Sequence, residues 1–460
     1  MMAATMRAQP DEPVPVVTAF LHRDGKVLVL RRSGRVGTYR GKWAGVSGYL
    51  DRQPLAQARL ELREEVGVSA GRAALRGIGV PLPVEDRGAR RRWLVFPFLF
   101  DLTGSARIAL NWESVESAWV KPQELADLDT VPGLAEALRR VWPPWGATGF
   151  WREMEVIAND RVHGATELAL RGLRAVGPLR GEARRRGLRA LAALHPSMGV
   201  FPHLAALLLK GQATARSLAA ALELATGNSA RRAARALRPF RKVLTHSASQ
   251  ACRQTLITWG SEGREVVVTE SRPGLEGVGL ARELATAGLR VTLITEAQIG
   301  LFLPRCDALL VGADAITDDN RLINKAGTWL AVLAAREAGV PAYAVAQTCK
   351  IAPPGWPTVL APQEPPLDCA RGVPCDGEVG DPACPERSRR EPAEGPQDVV
   401  GQVRGPRLRT GVRVANIAFD STPVVWFDGI FTEQGRLTES LLARTRRAVT
   451  AGAKLLMVRG

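Results

Sequence analysis

The sequence predicts an α/β protein, and three observations predict it. Short apolar runs at 266–268, 291–294, 308–311 and 343–345, and more loosely at 322–323, alternate with helical patterns at 279–287 and 329–338. Runs of this length between helices read as parallel strands. Ahead of them, residues 155–241 are rich in Ala, Leu and Arg at helical spacing. Residues 14–141 form a third region, in which short strands alternate with a helix.

At 460 residues the chain is long enough for two or three domains with buried cores. No apolar stretch is long enough to cross a bilayer, and the first 13 residues lack the apolar core of a secretory signal. A cytoplasmic protein with no membrane partner is expected. The formal charge of +16 invites a nucleic-acid reading. The basic residues are mostly arginines scattered over helices, however, so solvated helix faces explain the charge and nucleic acid is not an expected partner. Six cysteines make no disulfide framework at this size. Cys369, Cys375 and Cys384 cluster without a CxxC pair or a nearby histidine, which argues against zinc.

Taken in order, the first element to carry chemistry is a helix near residue 60. Glu61, Glu64 and Glu65 fall at i, i+3 and i+4, so a helix puts them on one face. Crowded carboxylates repel one another unless a hard cation such as Mg²⁺ or Mn²⁺ neutralises them. Gly67 then reads as a left-handed C-cap. The first domain is expected over 14–142, and Pro143 and Pro144 open a linker over 143–154. A helical part follows over 155–242, then a sheet domain over 243–352 that resumes at 411–460. The intervening 353–410 is crowded with Pro, Gly, Arg and acidic residues and short of aliphatics. It is expected to be a disordered insertion.

In parallel sheets, ligands bind beyond the carboxyl ends of the strands. Arg272, Asp314 and the pair Asn324-Lys325 each follow an apolar run, so they are expected to meet at one mouth suited to a small phosphorylated ligand.

The stretch from Gly45 through Glu61, Glu64, Glu65, Gly67 and Val68 resembles the Nudix box, with the strand at 27–32 before it and the 112–122 segment after it. The resemblance implies an α/β/α sandwich that hydrolyses a nucleoside diphosphate derivative, with Glu61, Glu64 and Glu65 holding Mg²⁺ or Mn²⁺. Glu113 or Glu116 is a further candidate base. Two positions depart from the pattern: Leu60 stands at the box arginine and Arg52 at its first glutamate. Because that arginine orients the glutamates in the family, its loss is expected to slow hydrolysis.

The remainder, over 155–351 and again from Gly411, is similar to a second family. That family unites the alpha, beta and delta subunits of eukaryotic initiation factor 2B with methylthioribose-1-phosphate isomerase and archaeal ribose-1,5-bisphosphate isomerase. The likeness rests on Pro196-Ser197-Met198, Thr245-His246-Ser247, the Gly312-Ala-Asp314 turn, Asn324-Lys325 and the segment from Asn416 to Pro423. It implies a Rossmann-like domain with a helical N-terminal part, joined as a homodimer or higher homo-oligomer. It places Arg161, Gly164 and Ala165 in a substrate loop, His195 at a second arginine position, and Arg272 and Glu276 in an Arg-Pro loop. Asp314 would be the acid/base and Ser247 would stand where the isomerases carry a cysteine. A serine is a much weaker acid than a thiol, His195 need not be charged, and the Glu276 carboxylate opposes a phosphate. The expected function is therefore metal-dependent hydrolysis in the first domain and binding of a phosphorylated sugar or nucleotide in the second. Aldose–ketose isomerisation at Asp314 and a non-catalytic sensor are the alternatives.

Overall fold

The protein is described by a computed structural model covering residues 13–86, 88, 90–104, 107–160, 163–211, 213–272, 274–360 and 417–457. Arg161, most of the expected insertion and the start of the resumed segment at 411–416 lie outside these residues.

The first domain is an eight-stranded sheet between helices. Its elements are β1 (Val14–Arg23), β2 (Lys26–Arg32), β3 (Trp43–Ala44), β4 (Val46–Tyr49), α1 (Pro54–Val66), β5 (Ala73–Ile78), β6 (Leu82–Asp86), β7 (Arg91–Leu102), β8 (Ser114–Val120) and α2 (Leu134–Arg139). β1 and β7 run parallel through the centre, with Val17 opposite Phe96, while β2, β4, β5 and β6 add antiparallel. Strand alternation divides the apolar residues between two cores. Val17, Ala19 and Leu21 of β1 face α1, whereas Phe20 faces the α2 side with Leu134 and Leu138. The expected α/β/α sandwich follows from that split.

Five helices come next: α3 (Thr148–Asn159), α4 (Ala165–Val176), α5 (Gly181–Ala192), α6 (Val200–Leu209) and α7 (Ala215–Ala236). The segment 143–154 reads as a linker in the sequence, yet from Thr148 it is helix. Phe150, Trp151, Met154 and Ile157 on α3 are buried in one core that runs from Leu62 and Phe100 of the first domain to Leu191 and Phe201 of the second.

The last part begins with β9 (Lys242–His246), α8 (Gln250–Trp259), β10 (Glu265–Thr269), α9 (Glu276–Thr286), β11 (Arg290–Ile294), α10 (Ile299–Phe302) and β12 (Ala308–Val311). It continues with β13 (Ala315–Ile316), β14 (Arg321–Lys325), α11 (Thr328–Glu337), β15 (Ala342–Val345), β16 (Phe419–Pro423), β17 (Gly429–Thr432), β18 (Gly435–Arg436) and α12 (Glu439–Met457). The main sheet has the order β11-β10-β9-β12-β15-β17-β18, parallel except at the β17–β18 edge. The first six strands of that order match the doubly wound pattern 3-2-1-4-5-6. Residues 322–323 do not join it. They lie in β14, which pairs antiparallel with β13 and β16 in a separate three-stranded sheet. The segment 353–360, expected in the insertion, instead packs against the core through the buried Trp356.

Candidate functional site

Two cavities hold the candidate residues. In the first domain, Pro54 opens α1 and Gly67 ends it, with φ +69° and its amide on the Arg63 carbonyl at 3.1 Å. This fixes which face of α1 meets the β4 loop. Glu65 points inward, where one carboxylate oxygen accepts the Ser47 amide at 2.8 Å. Glu61 accepts from the Gln57 amide at 2.6 Å and lines a cavity of about 450 Å³ with Glu64 and Glu113.

Burial pushes the Glu61 carboxyl above its ordinary range, and the Glu64 and Glu113 charges push it further. Glu65 is raised well above its ordinary value by burial, against the pull of the Ser47 amide. Positive charge reaches these carboxylates from Arg52, felt at Glu61, and from Arg32, felt at Glu65. Neither position matches the box arginine. Arg59, its neighbour in sequence, is committed elsewhere: it donates to the Ala70 and Ala73 carbonyls at 3.2 and 3.1 Å and pairs with Glu155 of α3. Glu116 pairs with Arg31 at the surface and does not line the cavity. The same cavity is also lined by the aromatics Tyr39, Tyr49, Trp93 and Trp112. Tyr39 donates to Asp86 at 2.7 Å and accepts from the Trp93 indole at 2.8 Å.

Among the described residues, no three carboxylate, imidazole or thiol side chains are grouped as a ready-made metal site. The expected trio is therefore not converged as it stands, because Glu65 is turned to the Ser47 amide and Glu61 to Gln57. The donor set itself is an all-oxygen, hard one, and its members raise each other's proton affinity, which is what a divalent cation relieves.

The second cavity, of about 630 Å³, opens where the doubly wound sheet reverses direction, between β9 and β12. Chain connections diverge there and leave a crevice beyond the strand ends. Ser247, Glu276, Asp314, Asn324, Lys325, Gly164 and Ala165 all line it, so most of the expected residues do converge. Ser247 leaves β9 with φ +70°, its amide donating to the Ser271 hydroxyl at 2.9 Å and its own hydroxyl 3.5 Å from Glu276. Glu276 begins α9 and pairs with the Lys325 ammonium at 2.6 Å. Burial raises the Asp314 carboxyl, opposed by the Lys350 and Lys325 charges and reinforced by Glu276. The Asn324 amide donates to the Thr328 hydroxyl at 2.9 Å.

Two expected contacts do not enter this cavity. His195 is buried behind the wall, its Nε2 on the Ile157 carbonyl at 2.9 Å and its ring 5.3 Å from that of Phe201. Arg272 is exposed and pairs with Glu270 at 2.8 Å. Arg161 lies outside the described residues. His246 is a packed histidine, with Nδ1 2.7 Å from the Thr269 hydroxyl and Nε2 2.9 Å from the Ala326 carbonyl. The motifs also miss two cations on the cavity wall, Arg253 and Lys350. Lys350 is buried, donates to the Ala313 carbonyl and acts on Asp314.

A sheet with carboxylates over an aromatic-lined cavity, joined to a doubly wound domain with a charged switch-point crevice, defines a two-domain α/β protein. The chain belongs to the Initiation factor 2 subunit family, whose profile it matches over 210–439, and it carries a NUDIX domain over 12–141. It is 35% identical over 197 residues to the ribose 1,5-bisphosphate isomerase of Archaeoglobus fulgidus, covering 42% of this chain and 53% of that protein. It is 33% identical over 195 residues to an eIF-2B subunit 2-like protein of Pyrococcus horikoshii, covering 42% of this chain and 56% of the relative. The chain thus spans about half the length of the curated relatives it matches. The crystal structure of a Pyrococcus horikoshii translation initiation factor eIF-2B overlays with a TM-score of 0.48 at 27% identity, over 64% of this chain and 98% of that one.

Proposed function

We propose that the first domain is a divalent-metal-dependent hydrolase of a nucleoside diphosphate derivative, and that the second binds a phosphorylated sugar or nucleotide. The observation that carries the first half is the desolvated Glu61 carboxylate lining an aromatic-walled cavity, with the buried Glu65 on the Ser47 amide of the same cavity's wall. Glu61, Glu64 and Glu65 would hold Mg²⁺ or Mn²⁺, with Glu113 across the cavity. When bound, the cation supplies charge neutralisation at the diphosphate and acidifies a water. Arg32 lines the same space and offers the phosphate oxygens a guanidinium. The aromatic wall takes the apolar, planar end of the substrate and excludes water from it. Glu113 and Glu64 line the cavity and are the candidate general bases.

Binding without turnover is the reading for the second cavity, because Glu276 already satisfies Lys325 and a hydroxyl stands at Ser247. Asp314 accepts hydrogen bonds from sugar hydroxyls, while Lys350 and Arg253 supply positive charge. Asp314 gives the isomerase alternative its one support, since a buried carboxyl of raised pKa suits proton transfer. A homodimer through the second domain belongs to the same proposal.

The test is product formation from a panel of nucleoside diphosphate derivatives with Mg²⁺, comparing wild type with Glu64→Gln and Glu65→Gln. A fall of about 10²-fold or more in both variants is expected, the usual size of a catalytic carboxylate's contribution. Turnover no higher in wild type than in the variants, on every compound, sinks the hydrolase reading.

A further inference from the structure

A third cavity, of about 280 Å³, lies at the junction of the domains, away from both candidate sites. Its walls come from three parts of the chain. Gly77 and Ile78 end β5, Arg139 to Trp145 leave the first domain, and Arg186 and Arg189 project from α5 beside the last described turn of α12.

The charge balance here is one-sided. Arg139, Arg140, Arg186 and Arg189 line the space; Glu136 pairs with Arg139 at 2.6 Å and reaches Arg140 at 3.6 Å, and Glu182 is taken by Arg185 at 2.7 Å, so the excess positive charge sits on Arg186 and Arg189. Two of the arginines bind backbone: Arg186 donates to the carbonyls of Val141 and Pro143, and Arg140 to those of Val80 and Pro81. The carbonyls hold the Arg186 guanidinium in place but do not neutralise it. Burial accordingly pushes Arg186 down to about 10. The Nε of Arg189 is buried and has no hydrogen-bond partner among the described residues. A buried donor left unmade is costly, and an oxyanion would satisfy it. The carbonyl end of α12 opposes an anion, but with about half a charge against an excess of guanidiniums.

The aromatic residues limit the ligand's size. Trp145 is packed by Arg186 at 5.4 Å and by Phe150 and Trp151 at 5.3 and 5.1 Å, and Trp142 meets His22 at 5.3 Å. Little ring surface is left to stack a base.

We infer that this junction cleft is a binding site for a compact phosphate-type oxyanion, either free inorganic phosphate or diphosphate or the phosphate of a small phosphomonoester. An anion there bridges α5 to the exit of the first domain, so it binds the assembled junction and stabilises it by mass action.

The experiment is arginine-selective labelling of the full chain with phenylglyoxal, read peptide by peptide by mass spectrometry, with and without inorganic diphosphate. Labelling at Arg139 and Arg189 is expected to fall several-fold with diphosphate. Protection at Arg139 should disappear in Arg189→Gln and persist in Lys325→Ala, which alters only the sheet-domain cavity. Arg139→Gln serves as a second variant, because Arg139 is mostly exposed and its loss spares the fold; protection at Arg189 should weaken there. A parallel titration with ribose 5-phosphate separates the sources: protection by both compounds indicates a phosphomonoester site, and protection by diphosphate alone indicates a free oxyanion. Labelling unchanged at millimolar concentrations of both compounds overturns the inference. So does protection that survives Arg189→Gln and is lost in Lys325→Ala, since it would then arise in the other cavity.

Discussion

Glu61 reaches its place because residue 48 has no side chain. A Cβ on Gly48 would stand 1.7 Å from the Glu61 carboxylate, whereas the backbone there needs no positive φ. The obstructed atom is the tip of a flexible side chain, so the fold tolerates the methyl and the carboxylate moves. Gly48→Ala is expected to keep stability within about 1 kcal/mol and to cut hydrolysis by about 10-fold or more. Thermal unfolding beside the diphosphate assay checks both halves, and unchanged turnover would remove Glu61 from the proposed machinery. A second residue-scale effect concerns His203, buried with Nδ1 donating to the Ile351 carbonyl at 2.8 Å. Burial lowers its pKa from 6.5 to about 4. The folded state therefore holds it neutral, and the stability this confers is present above pH 6.5 and lost as pH falls through 4. Relative to His203→Gln, wild type should lose on the order of 3 kcal/mol between pH 6.5 and 4. A stability difference that stays flat over that window counts against it. The carboxylates of α1 were legible in the sequence because their spacing is a helix period. Lys350 and Arg253 were not, since each reaches its cavity from an element with no motif of its own.

At the scale of elements, apolar runs identified the strands at 266–268, 308–311 and 343–345, but a run carries no direction. Residues 322–323 show the limit: the same short apolar signal belongs to an antiparallel strand of a separate small sheet. What places Asn324 and Lys325 at the crevice is the pairing of β14 with β16, nearly 100 residues further along the chain. No local pattern reports such a pairing. The sequence pattern places the start of α9 at 279, whereas the helix begins at Glu276, where Gly277 passes with a Cβ position 1.8 Å from the Thr269 carbonyl. That close approach sets Glu276 against Lys325. Glu276→Gln removes the partner carboxylate while keeping the side chain's shape, and leaves Lys325 to meet a phosphate. Affinity for a sugar phosphate such as ribose 5-phosphate should rise roughly 10-fold, the equivalent of one charge-assisted contact after its desolvation cost. Calorimetric titration decides it. Weaker binding in the variant would mean that Glu276 is a hydrogen-bond acceptor for the ligand's hydroxyls and that the phosphate lies elsewhere.

For the whole molecule, the sequence suggested two domains and a linker, and one of the hydrophobic cores runs through both domains. Trp151 is buried on α3, inside a cluster that includes Leu62 of α1, Phe201 of the helical part and Val449 of α12. The Arg59–Glu155 pair joins the same helices, two residues from Glu61. Asp160, at the other end of α3, lines the switch-point cavity. Domains that share a core this way do not unfold independently, because exposing either half leaves the other's apolar face in water. Trp151→Ala is expected to cost about 3–5 kcal/mol, the usual range for a buried tryptophan. It should lower a single transition, seen alike by calorimetry and by fluorescence. Two separated transitions in wild type, with only one displaced in the variant, would mean that α3 belongs to one domain and merely touches the other. A single displaced transition would make α3 the element that holds the carboxylate helix and the switch-point crevice in fixed register.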